Sequence, residues 1–96
     1  MSEAQIQNKI IKWLREAHPG AVVWKIHEDA VFGVVGIPDI YFAWGSVSVW
    51  FEVKKPGGVR KKIQKSRVKQ LRNNHIMAYF VESLDEVKEI LCHYGS

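Results

Sequence analysis

The sequence predicts an α/β fold: one domain over residues 1–96, with a mixed β-sheet flanked by helices in the order α-β-β-β-α-β-α. Three observations predict it. Apolar residues recur at helical spacing near both ends and in one basic segment between them. They alternate with period two on either side of a central Gly-Ser turn. No internal repeat and no linker-like stretch interrupts the chain. At 96 residues, 47% hydrophobic and 25% charged, the composition is that of an ordinary folded globule, which excludes disorder and low-complexity tails. A chain this short buries only about 60 to 65% of its unfolded surface, so a dimer is a natural way to cover more apolar area.

The first helix is expected from Ser2 to Ala17, where Ile6, Ile10, Trp13, Leu14 and Ala17 form an apolar stripe. Ser2 is its N-cap, and His18-Pro19-Gly20 stops it. Ala21 to His27 reads as a strand, followed by a loop from Glu28 to Pro38 that contains Gly33 and Gly36. From Asp39 to Lys54 the pattern is a hairpin about Gly45-Ser46. One face carries Ile40, Phe42, Trp44, Val47, Val49, Phe51 and Val53. Lys61 to Asn74 reads as a basic helix with Gln64, Val68 and Leu71 on one stripe. Met77 to Val81 is a short strand, and Ser83 caps a final helix through a capping box with Glu86. Trp13, Trp24 and Trp44 fall at core positions, and Trp50 lies on the opposite face of the hairpin.

The single cysteine, Cys92, allows no intrachain disulfide, and the four histidines make no metal-ligand spacing with it. No apolar run is long enough to span a membrane, and Met1 to Gln5 lack a signal-peptide pattern, so a cytoplasmic protein is expected. The net charge of +4 is modest, but its distribution is lopsided.

If Gly45-Ser46 is a two-residue turn, Trp44 pairs with Val47, and counting outward puts Asp39 opposite Glu52. Facing residues on antiparallel strands have Cβ atoms roughly 4.5 to 5.5 Å apart, so both carboxylates can reach one hard cation. Lys54 points to the same face as Glu52. The alternative is structural: Asp39 caps a turn after Pro38, while Glu52 and Lys54 pair along an exposed strand.

From Lys54 through Val81 there are nine lysines and arginines and no acidic residue. Solvated helices usually mix both signs for i,i+4 support, so a segment this one-sided points to a polyanion, and phosphate is the obvious one. Lys55, Arg60, Lys61, Lys62, Lys65, Arg67 and Lys69 are its candidate contacts, with Lys25 on the first strand as another. A merely solvated basic face is the alternative, and for Lys25 the simpler one. His27 near the loop reads first as a partly exposed strand residue, with a general-base role as the alternative.

Gly36-Ile37-Pro38-Asp39, followed thirteen residues after Asp39 by Glu52-Val53-Lys54, resembles the PD-(D/E)xK nuclease motif. Together with Glu3, Lys55-Pro56-Gly57-Gly58, Gln64 and Ser83-Leu84-Asp85-Glu86, the chain is similar to the VRR-NUC branch over nearly its whole length. It looks like the stand-alone phage and bacterial members, which are similar in architecture to Holliday junction resolvases. The resemblance implies a restriction-endonuclease-like core in which Asp39, Glu52 and the backbone carbonyl of Val53 hold Mg²⁺ or Mn²⁺. Lys54 positions or activates the attacking water. It also implies that Glu3 completes the metal site and that Gln64 is the functional helical glutamine. A solvated first-turn acid and an ordinary polar residue are the alternatives for those two, and Gln70 is a weaker candidate for the glutamine role. Lys61 departs from the family, which often has serine or threonine there.

The expected activity is divalent-metal-dependent endonucleolytic cleavage of branched DNA, four-way junctions foremost, by a homodimer in a bacterial or phage-infected cell. A catalytically idle nucleic-acid-binding module of the same fold is the alternative. A protein interaction domain with a structural acidic pair is the third reading.

Overall fold

A computed structural model describes residues 1–27 and 33–95. The element order is α1 (Glu3–Ala17), β1 (Val22–Lys25), β2 (Ile40–Trp44), β3 (Val47–Val53), α2 (Lys62–Asn73), β4 (Met77–Val81) and α3 (Leu84–His93). The expected order holds. Of the expected loop from Glu28 to Pro38, residues 28–32 lie outside the described residues. The first strand is shorter than expected, and its pairing continues for one further hydrogen bond, from Ile26 N–H to Asp39 C=O at 2.7 Å.

The four strands form one sheet in the order β1-β2-β3-β4. The first three are antiparallel, and β4 runs parallel to β3 after the α2 crossover, as a parallel pair requires. Trp44 pairs with Val47 across Gly45, whose φ of +59° suits the tight turn. One sheet face carries Val23, Ile40, Phe42, Val49, Phe51, Val53 and Val81, and it packs on Ile6, Ile10 and Leu14 of α1 and Val87 and Leu91 of α3. This is the core. The opposite face is covered by α2 chiefly over β4, through the buried Val68 and Ala78.

The helix ends follow their side-chain chemistry. Ser2 Oγ accepts from Gln5 N–H at 3.2 Å and Gln5 Oε1 accepts from Ser2 N–H at 2.7 Å, a reciprocal capping box at α1. At α3, Ser83 Oγ accepts from Glu86 N–H as expected. The Glu86 carboxylate, however, takes the N–H of Glu82 rather than that of Ser83. Lys61 has no side-chain acceptor, so α2 keeps half a box: Gln64 Oε1 accepts from Lys61 N–H at 3.0 Å.

Two tryptophan expectations are corrected. Trp24 is 59% exposed and Trp44 39% exposed. Trp24 sits on edge strand β1, at the far side of the face that α2 covers chiefly over β4, and period two alone cannot say how far across a face a helix will reach. Trp44 lies at the sheet end and closes an aromatic cluster around the buried His18, with ring centroids 4.7 Å apart. His18 Nδ1 meets the Leu14 carbonyl at 3.0 Å, so that nitrogen carries the proton.

Candidate active site

Asp39 and Glu52 stand at the end of the sheet where β2 and β3 begin to part. The Ile40–Phe51 pairing places them opposite each other one step further on. Asp39 is fixed twice: its carbonyl takes the Ile26 N–H, and its Oδ2 accepts from Val53 N–H at 2.9 Å. Its carboxylate therefore clasps β3 and does not cap a turn. Glu52 is 2% exposed and Lys54 6% exposed, and among the described residues no ion pair forms between them within 4.0 Å. An ion pair along an exposed strand is thus excluded on both counts.

The Glu52 carboxyl is pushed up to about 9, first by burial, then by its hydrogen bond to Asp39 and the Asp39 charge, with Glu3 adding to the rise. The Lys54 ammonium opposes the shift. Glu52 Oε2 is buried with no hydrogen-bond partner. A buried acceptor left unsatisfied costs roughly 1–3 kcal/mol, which marks the position as built for something other than stability.

The pair opens on a cleft of about 190 Å³. Glu3, His27, Lys61 and Gln64 line it with Asp39 and Glu52, and Ile26, Val34, Ile37 and Ile63 supply apolar walls. Five segments of the chain meet here. Gly36 lets the loop approach α2: a Cβ at that position would lie 2.8 Å from Ile63 Cγ1 and 3.1 Å from the Ile63 carbonyl oxygen. The close approach that this glycine serves is to α2. Lys54 is buried beside Glu52 and is not part of the cleft wall. Glu3 lines the cleft, but among the described residues no three His, Cys, Asp or Glu side chains gather closely enough to hold a metal. Among the described residues, Asp39 and Glu52 therefore have no third acidic side chain close enough to share a metal with them.

The basic residues divide. Lys61 faces the cleft, and Lys25 lines a shallow extension of it with Glu3 and Asp39. Arg60, Lys65 and Lys69 line a separate groove against β4, whereas Lys55 and Lys62 are simply exposed. Arg67 is already engaged: its guanidinium donates to the Val35 carbonyl at 2.9 and 3.1 Å and to Gln70 Oε1, tying the loop to α2. Gln70 is held by that bond and does not line the cleft. The apolar walls were the part of the cleft that residue patterns did not single out, whereas His27, weighed as a general base, does line it. Val34 and Ile37 lie in a stretch with no period of its own.

Two solved structures share this arrangement of strands and helices. One, named "VRR_NUC domain", is 22% identical with a TM-score of 0.77, over 96% of each chain. The other, named "VRR_NUC domain protein", is 22% identical with a TM-score of 0.78, over 98% of this chain and 88% of that one. The chain has the VRR_NUC fold. No family model matches the sequence, and no curated protein matches it.

Proposed function

We propose that this cleft is the active site of a divalent-metal-dependent endonuclease that hydrolyses phosphodiester bonds in branched DNA, four-way junctions foremost, with two copies acting together. One observation carries the reading: the Asp39 and Glu52 carboxyls are opposed at the sheet end and open on a cleft, with Glu52 Oε2 buried and unpartnered. The VRR_NUC names of the structural neighbours point the same way.

The donor set fits a hard cation, since Asp39, Glu52 and the Val53 carbonyl all offer oxygen. Mg²⁺ or Mn²⁺, if held by them, would supply the positive charge that phosphodiester hydrolysis needs. As a ligand Glu52 would be ionised, its proton passing to solvent, and the neighbouring Lys54 charge favours that form. Lys54, buried beside Glu52, would orient the attacking water, and Gln64 lines the cleft itself. Lys61 and the first N–H groups of α2 face the incoming phosphate, a favourable end of the helix for an anion. Glu3 stands at the rim and tunes the field at Glu52.

The test compares wild type with Asp39→Asn on labelled four-way junction, flap, duplex and single-stranded DNA, with Mg²⁺, Mn²⁺ or chelator. Cleavage is expected only for wild type with metal, symmetric and strongest on the junction. If neither protein cuts under any metal while both bind DNA equally, the idle binding module replaces this reading.

A further inference from the structure

Along the outer edge of the sheet, the flank of α2 and strand β4 enclose a groove of about 380 Å³, separate from the cleft. Arg60, Lys65, Lys69 and Arg72 line it with Tyr79 and Phe80. The two arginines are held in place by rings: the Arg60 guanidinium lies 4.5 Å from the centre of the Phe80 ring, and that of Arg72 lies 4.8 Å from that of Tyr79. Arg72 Nε also donates to the Ala78 carbonyl at 2.7 Å. Among the described residues no carboxylate comes within 4.0 Å of any of these four cations. Gathering four like charges along one groove, two of them held in place, with no counter-charge is unfavourable unless an anion completes it.

The groove is also placed to continue the cleft. Phe80 pairs directly with Glu52, so the Arg60 end begins one strand beyond the carboxyl pair, a step of about 4.8 Å. Lys65, Lys69 and Arg72 then follow along one flank of α2 for about 10 Å. A phosphodiester chain leaving the cleft meets them in succession.

We propose that this groove is a second nucleic-acid subsite, which grips the backbone phosphates on one side of the cleft. It rests on the nuclease reading for its direction, but its binding is measured without catalysis. The experiment is fluorescence anisotropy of the full chain with labelled duplex, in chelator, between about 50 and 200 mM salt. The double variant Lys65→Ala/Lys69→Ala is compared with Lys9→Ala/Lys12→Ala, which removes the same charge from α1. The groove pair is expected to make the log–log salt slope shallower by roughly 1.8, while the α1 pair leaves it as in wild type. Arg60→Lys keeps the charge but loses the planar stack, and is expected to weaken binding about two- to five-fold with little change of slope.

Equal slope changes for both pairs, or none for either, overturn the groove whether or not the protein cuts DNA. A groove-specific loss in a protein that never cuts DNA upholds the groove and removes the nuclease reading alone.

Discussion

Glu52 occupies a position where a carboxyl keeps its proton at neutral pH. Below about 4.5 the folded and unfolded chains both carry that proton; between there and about 9 only the folded chain keeps it, and above about 9 neither does. Unfolding therefore releases a proton through this window, and stability falls as pH rises across it. The thermal midpoint of the metal-free protein is expected to decline from about pH 4.5 to 9, and Glu52→Gln to flatten that decline and exceed wild type at its upper end. Scanning calorimetry in chelator measures both, and a wild-type midpoint flat across the window overturns the expectation. At this scale the opposition of Asp39 and Glu52 was legible, because a two-residue turn sets the register of everything beyond it. The depth of Glu52 was not: its burial is a tertiary property, set by segments far from it in sequence that meet at the cleft.

Among the elements, α2 and the loop before β2 depend on each other. Gly36 has φ +76° and no room for a side chain against Ile63, whereas Gly45 has φ +59° and open space around it. Gly36→Ala is expected to cost about 2–4 kcal/mol, from left-handed strain plus overpacking, and Gly45→Ala only about 1–2 kcal/mol from the backbone alone. Urea denaturation at neutral pH separates them; equal losses would show that the loop yields to the new methyl group. Arg67 reinforces the same junction through the Val35 carbonyl. The helices and the hairpin were readable because each carries its own period and stop signals. The contact of Gly36 with α2 was not readable, since the stretch before Pro38 has no period and its partner lies many residues away.

For the molecule as a whole, the two faces of the sheet are unequal. Two helices pack on one, while on the other Trp24, Tyr41 and Trp50 lie in register across β1, β2 and β3, with ring centroids 5.6 and 4.7 Å apart. The proposed pairing of two copies has its natural seat on this aromatic row, where a short chain leaves apolar surface uncovered. Sedimentation equilibrium is expected to give the mass of two chains, and Trp24→Glu that of one with unchanged circular dichroism. A single-chain mass for wild type at high concentration contradicts the pairing.

Strand β4 ends the sheet, and its outward side is a row of backbone groups that another strand could match. The Arg72 side chain occupies that side at Ala78. Beyond any part in gripping phosphate, it acts as a gatekeeper against edge-to-edge polymerisation. Solubility during synthesis, rather than affinity or fold, is then the property that a short apolar residue at this position would compromise first.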